Sequence, residues 1–498
     1  MQTLYTSIKT KVTLRFVDNH RGISLLSIAG KIYARILLNR LMDHIQAIGL
    51  IPESQNGFMP GRSTIDPCFS LRLLQEKCKL HGQDLYVLFI DLTKAFDTVS
   101  RSGLWSLLEK IGCPDHFIKM IRAFHDNMKV TVREGNKRAE PFVVTNGTKQ
   151  GCVLAPTLFS IFFSLMLFIA FKNTATGIDV IHRFDRGLCQ TNNVHFKART
   201  KVTKAKIREF LYADDCALAA CSQEDLQELT DHFASAAAKF GLTISLKKTK
   251  AIGQSAHKSR IADPRIIIND KPIKSVDNFK YLCSIVSRDC SMEPELSARI
   301  AKANSAFNKL DKRLWSKSGI RLETKVMVYR AVVLSTLLYG SEAWTLNAKQ
   351  IRRLERFHQK CLRIICRIKW YHKIPDFEIL DRCQTSSLQS LLDKNKLRWT
   401  GHVIRMDESR TPKILLYGRV DKGGARQGNH LTYLNSVKSL LREYQIDSST
   451  LEEHARNRNA WRSEVFHKIK KGHEDYIRCM RDWRHRRKAR SNPTGGLP

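Results

Sequence analysis

The sequence predicts an α+β fold, with antiparallel strands in its first half and amphipathic helices dominating its second. Three observations carry this. Phe210 to Leu218 runs from apolar residues into Asp214-Asp215 and straight back to apolar residues, the pattern of a hairpin with charge at its tip. Leu85 to Ile90 is an unbroken apolar run of strand length that ends at Asp91, and it reads as a strand buried on both faces. Leu296, Ile300, Ala303, Phe307, Leu310 and Leu314 recur at spacings of four and three, an amphipathic helix, and helical patterning resumes from Ala348 onward.

At 498 residues the chain calls for two or three domains, and 43% hydrophobic residues make it globular. Its formal charge of +37 exceeds what solubility requires and points to a polyanionic partner, most simply nucleic acid. A basic surface kept only for solubility is the weaker reading, because Lys and Arg recur inside ordered-looking segments. The 13 cysteines lack paired spacing, which suits a reduced, intracellular chain, nuclear or cytoplasmic. Met1 to Arg15 has no apolar core, so no signal peptide is expected. Leu158 to Phe171 is nearly apolar but short and broken by two serines, so it reads as a buried helix and no membrane anchor is expected.

In chain order, residues 28–48 read as a helix with Ile32, Ile36, Leu38 and Leu41 on its apolar side. Residues 55–64 form a Gly/Pro-punctuated loop, in which backbone N–H groups could cradle a phosphate, although an ordinary connecting loop is the simpler reading. Arg101 to Ile111 is a helix stopped at Gly112, and residues 129–144 alternate as a hairpin about residues 134–137. Thr148 to Leu158 then turns into the apolar helix through Pro156, with Gly151 allowing close backbone approach. A helix over 225–240 ends at Gly241, Leu242 to Leu246 is strand-like, and Phe279 to Leu282 is a short strand. Trp344, Trp370, Tyr371, Trp399, Trp461 and Trp483 lie in and just before the basic C-terminal region, suited either to core packing or to stacking on single-stranded bases. His358, Cys361, Cys366, His372 and Cys383 lack the close Cys pair that anchors a zinc site, so buried thiols are the simpler reading.

The carboxylates supply the chemistry. Asp214 and Asp215 repel one another unless a cation lies between them, and Asp91 emerges at the edge of a core where a lone charge is costly. An Asp-Asp pair alone also suits a solvated turn. If the 85–91 strand lies beside the 208–220 hairpin, Asp91 and Asp214 converge and hold two metal ions about 3.5–4 Å apart, with Asp215 in support.

Taken in order, HRGISLL at 20–26, QNGFMPGRST at 55–64, FIDLTKAFDTV at 89–99, TKQGCVLAPTLFS at 148–160, YADD at 212–215, FGLTISLKKTK at 240–250 and FKYL at 279–282 resemble the reverse transcriptase of non-LTR (LINE-like) retrotransposons. The resemblance runs from about Arg21 to Leu282 and implies a right-hand polymerase of fingers, palm with antiparallel sheet, and helical thumb. It implies fingers and palm over 1–290, thumb over 291–345 and a basic helical region over 346–480, while composition alone makes 481–498 a basic disordered tail ending in Gly and Pro. It implies RNA-directed DNA polymerisation, with two Mg²⁺ ions (Mn²⁺ as a substitute) on Asp91, Asp214 and Asp215. Arg21 and Arg62 are expected near the triphosphate, Phe96 beneath the sugar, Gln150 and Gly151 at nucleotide and template, and Lys248 near the leaving phosphate. Phe279, Lys280, Tyr281 and Leu282 are expected to grip the primer end. The implied partners are an RNA template, a DNA primer and deoxynucleoside triphosphates. The family usually has Arg where Met59 stands, Gly where Cys283 stands, and an N-terminal endonuclease of the apurinic type. A catalytically decayed RNA- or DNA-binding remnant is therefore the alternative.

Overall fold

The computed structural model describes residues 2–8, 20–24, 26–134, 137–138, 140–149, 151–185, 187–190, 202–256, 263–421 and 431–491. The chain divides into two compact units. One comprises Met1–Pro67, Gln83–Ile178 and Lys206–Asp277, and the other Cys68–Gly82, Asp179–Ala205 and Asn278–Pro498.

In the first unit, helix α1 (Ile28–Ala47) starts at Ser27, whose hydroxyl accepts the Gly30 N–H at 3.2 Å. Its buried face is Ala34, Leu37, Leu38, Leu41 and Ile45, one continuous stripe at helical spacing. The apolar side read from the sequence is thus corrected: Ile32 and Ile36 fall outside this stripe and are 59% and 46% exposed. Strand β1 (Leu85–Ile90) is almost wholly buried, as its unbroken apolar run requires. Helix α2 (Ala155–Phe171), with Pro156 in its first turn, is buried on nearly every face. No helix among the described residues is long and apolar enough to cross a membrane.

Strands β2 (Glu209–Tyr212) and β3 (Asp215–Ala220) form the expected hairpin, followed by helix α3 (Gln223–Lys239) and strand β4 (Lys250–Gln254). The sheet order is β4-β1-β3-β2, antiparallel throughout. Phe159 and Phe163 of α2 stack on each other, and Phe163 meets Phe233 of α3 edge-on, in the core that covers this sheet. Leu242 to Leu246 is not a strand: only Ile244 bridges, to Leu92, and the place beside β1 is taken by β4. A second sheet pairs Gln2–Ile8 with His20–Ser24 antiparallel and with Lys129–Glu134 parallel. The expected hairpin is closed by Glu134 opposite Lys137.

The second unit contains the hairpin β5 (Asn278–Tyr281) and β6 (Ser284–Ser287), then helices α4 (Glu293–Lys309), α5 (Ala348–Ile365) and α6 (Arg458–Ser491), among others. One hydrophobic core runs through Leu296, Phe307, Trp315, Trp344, Leu354, Leu362 and Leu388, so residues on both sides of position 345 share it. The stretch from Arg481, expected as a disordered tail, begins inside α6: Arg481 pairs with Asp381 at 2.7 Å and Arg484 with Glu378 at 3.6 Å. Composition registers the charge of that stretch but not its partners across space. Residues 492–498 lie outside the described residues.

Candidate active site

The β2–β3 hairpin closes at Tyr212 opposite Asp215, which leaves Ala213 and Asp214 as a two-residue turn. Ala213 takes φ of +57°, the left-handed conformation that such a turn demands. On the other side of β3, Cys216 lies opposite Ile90, the residue before Asp91, so the start of β3 at Asp215 and the end of β1 meet at the same edge of the sheet. Asp215 begins β3, and Asp214, which the sequence reading paired with Asp91, occupies the turn.

The turn is held from the side by residues 54–57. Leu211 N–H donates to Ser54 O at 3.1 Å, and Asn56 N–H donates to Leu211 O at 2.9 Å, adding a short parallel edge to β2. Gln55 is fully buried; its Oε1 accepts the N–H groups of Ala213 (2.9 Å) and Gly57 (2.8 Å), and its Nε2 donates to Ala213 O (3.2 Å). A Cβ on Gly57 would come within 2.2 Å of the Ala213 nitrogen, so only glycine allows this approach. Ser54 also donates to Glu209 at 2.9 Å, while burial pushes the Glu209 carboxyl above its usual range. The loop read as a phosphate cradle thus buttresses the aspartate hairpin.

Asp91 is positioned by the turn after Leu242. Its carbonyl accepts from Ser245 N–H at 2.8 Å, its N–H donates to Thr249 Oγ1 at 3.3 Å, and its carboxylate pairs with Lys248 Nζ at 2.8 Å. Lys248 therefore stands at the carboxylates. Arg62 spends its guanidinium on the loop itself, donating to the Glu53 and Gln55 carbonyls at 2.6 and 2.8 Å and pairing with Glu53 Oε2 at 2.6 Å. Phe96 stacks on Phe159 with ring centroids 4.3 Å apart and meets Phe58 edge-on at 6.4 Å. Phe58, 48% exposed at φ +60°, lies between Phe96 and Tyr212.

Gly151 is exposed at φ +103°, while Gln150 lies outside the described residues. The neighbouring Lys149 is buried, with no hydrogen-bond partner for its Nζ among the described residues, and desolvation lowers its pKa. Arg101 shapes this loop by donating to the carbonyls of His125, Val144 and Gly147 at 2.7–2.9 Å. Arg21 lies on the strand His20–Ser24, opposite Ser7, and its side chain is outside the described residues.

In the second unit, Phe279, Lys280, Tyr281 and Leu282 build β5 and its turn, with Tyr281 opposite Ser284 and Leu282-Cys283 as the two-residue loop. Both loop residues have positive φ, +46° and +65°, which accounts physically for a glycine preference where Cys283 stands. Arg72 secures the hairpin through Ser284 Oγ (2.9 Å) and Ile285 O (3.0 Å), while the buried pair Arg299–Glu295 (2.7 Å) bonds to Cys283 O and Ile285 N–H.

Sequence reasoning missed Gln55, Phe58, Thr249 and Arg101. Gln55 has a legible signal, a glutamine two residues before a glycine in a motif already singled out. The other three act through contacts between segments far apart in sequence. Among the described residues, no three His, Cys, Asp or Glu side chains are grouped so as to hold a metal ion. His358 bonds to Tyr329 at 2.8 Å, and the Cys366 and Cys383 sulfurs lie 3.2 Å apart, both thiols unbridged.

Residues 9–286 match the sequence pattern of a family described as "Reverse transcriptase (RNA-dependent DNA polymerase)". The RNA-directed DNA polymerase from mobile element jockey of Drosophila funebris is 26% identical over 73% of this chain and 37% of its own length. The probable RNA-directed DNA polymerase from transposon BS of Drosophila melanogaster is 26% identical over 71% of this chain and 37% of its own length, so the chain spans well under half of these relatives. Among solved structures, a telomerase from Candida tropicalis aligns over 84% of this chain and 64% of its own, at 13% identity and a TM-score of 0.37. Since the family pattern covers more than half of the sequence, from the N-terminal sheet through the aspartate hairpin to β6, the chain belongs to the reverse transcriptase family.

Proposed function

We propose that this chain is the RNA-directed DNA polymerase of a LINE-like retrotransposon, adding deoxynucleotides to a DNA 3′ end on an RNA template. The observation that carries this reading is the pairing of β1, which ends just before Asp91, with β3, which starts at Asp215 beside a turn bearing Asp214 and clamped by a buried glutamine. The donors suit Mg²⁺: they are hard carboxylate oxygens only, and Mg²⁺ in polymerase-type sites takes one or two carboxylates plus substrate phosphates, without a preformed protein cage. Two such ions, held by Asp91, Asp214 and Asp215, would supply Lewis-acid activation of the 3′ oxygen and charge neutralisation at the leaving pyrophosphate.

The remaining roles fall to the chain itself. Lys248, now paired with Asp91, exchanges that partner for the negative charge of the triphosphate. Phe96, fixed by its stack on Phe159, excludes a ribose 2′-OH. Gly151 lets the nucleotide approach the backbone, with Gln150 and Arg21 as further contacts, and residues 279–282 hold the primer end. Arg62 acts by shaping the loop that supports the hairpin.

A non-catalytic RNA- or DNA-binding remnant is the second reading, and the thioether at Met59 favours it. Primer extension on an RNA template with Mg²⁺ separates the two. The polymerase reading expects extension by the wild type and none by Asp91→Asn or Asp215→Asn at unchanged unfolding midpoints. Template binding without extension by the wild type would overturn it.

A further inference from the structure

We propose that Trp370, Tyr371 and Trp483 form a stacking platform for single-stranded RNA in the second unit, separate from the carboxylate site. Of the C-terminal tryptophans, Trp344, Trp399 and Trp461 are buried, yet Trp370 is 86% exposed, Tyr371 59% and Trp483 53%. Leaving such side chains in water forgoes the largest apolar burial any residue offers, so a partner that covers them is the physical expectation.

The turn bearing Trp370 and Tyr371 and the helix bearing Trp483 are neighbours. Trp370–His372 is a short 3₁₀ turn, with Tyr371 packed edge-on against Trp370 at 6.0 Å. Arg484, next to Trp483 on α6, donates to the carbonyl of Lys373 at 3.4 Å, which docks this stretch of the helix beside that turn. Arg487 lies over the Trp483 ring, 5.4 Å from its centroid.

The charge around the platform selects a polyanion. Asp376, Glu378 and Asp381 are each already paired with an arginine, Arg363, Arg382 and Arg481 respectively. Lys369, Lys373 and Arg487 are exposed at the patch. Aromatic faces beside cations suit unpaired bases, whose π-faces stack while their phosphates meet the basic residues. A duplex keeps its bases stacked within itself and cannot use them.

The commitment to RNA rests on the polymerase reading. There the template is a long single strand before it is copied, whereas the DNA product becomes paired as it forms.

The test uses the full chain with no primer or nucleotide present. A fluorescein-labelled 15-nucleotide oligouridylate, the deoxy strand of matching sequence and an RNA duplex are titrated at fixed salt. The Trp370→Ala/Tyr371→Ala double variant should lose about five- to a hundredfold in affinity for the RNA strand per lost stack. Trp370→Phe, which keeps a stacking face, should recover most of it, and the duplex should be little affected. Photocrosslinking of a 4-thiouridine oligomer should mark peptides containing residues 370–371 and 483. Unchanged single-strand affinity in the double variant overturns the platform, and so does the absence of a crosslink at these peptides. An equal loss for duplex RNA reduces it to a charge effect and overturns stacking, and an equal loss for the deoxy strand overturns the assignment to RNA. The two proposals fail separately: absent extension with these binding results intact fails the polymerase, and active extension with binding unchanged in the variants fails the platform.

Discussion

Replacing Gln55 by alanine should unhook the aspartate hairpin from the loop that braces it. The side chain is fully buried and makes three hydrogen bonds, two accepted by Oε1 from Ala213 and Gly57 N–H and one donated by Nε2 to Ala213 O. At about 1 kcal/mol net for each, the direct loss is roughly 3 kcal/mol. The backbone groups left behind are buried and cost about 1–3 kcal/mol each until water reaches them, so the loss in global stability should fall at roughly 3–5 kcal/mol. Ala213 holds its left-handed φ against a steric penalty, and releasing it lets the turn relax and shifts the neighbouring Asp214 and Asp215. A misplacement of about 1 Å at reacting groups costs on the order of a hundredfold in rate. Urea unfolding and steady-state primer extension, run on the same preparation below the unfolding midpoint, measure the two effects. Gln55→Ala extending primers at the wild-type rate, with an unfolding free energy within 1 kcal/mol of wild type, would refute the clamp.

Other predictions follow from particular contacts. Phe96→Ala should admit ribonucleotides and lose roughly 1–3 kcal/mol of stability through its stack on Phe159, read by extension with each nucleotide class and by denaturation. Cys283→Gly should raise stability by about 0.5–1 kcal/mol, because φ of +65° is strained for cysteine and free for glycine; an unchanged urea midpoint would remove the strain argument. Glu76 is half-buried, with its carboxylate accepting the Tyr433 N–H at 2.8 Å, and desolvation pushes its pKa up to about 7. Its folded pKa is raised, so its contribution is fully present below the usual carboxylate range and is lost as pH rises through about 7. Glu76→Gln, which can still accept from Tyr433, should therefore unfold at a higher midpoint than wild type at pH 8.5 and at nearly the same midpoint at pH 5.

The sequence by itself determined the elements whose signal is local. The apolar run at 85–90, the hairpin around Asp214-Asp215 and the ordered motifs from residue 20 to residue 282 specified an α+β chain of the reverse transcriptase family, with a strand ending before Asp91 and a hairpin bearing the Asp pair. Their adjacency on neighbouring strands was legible too, since a buried strand ending in Asp91 needs a partner for that charge. Tertiary structure alone decided how these pieces engage. Register is a pairing between distant segments, and it set Cys216 opposite Ile90 and left Asp214 in the turn between Tyr212 and Asp215. Strand identity beside β1 went to Lys250–Gln254 over the more apolar Leu242 to Leu246, because Ser245 and Thr249 fold back to bind the Asp91 backbone. The buried stripe of α1 was decided by what packs on it, which hydrophobicity along one helix does not encode. Arg62 turned inward to Glu53, and Trp370 stayed in water while Trp461 was buried, although each residue type permits either fate. Periodicity reports which residues can share a face; which face meets which neighbour is fixed only when segments hundreds of residues apart close on one another.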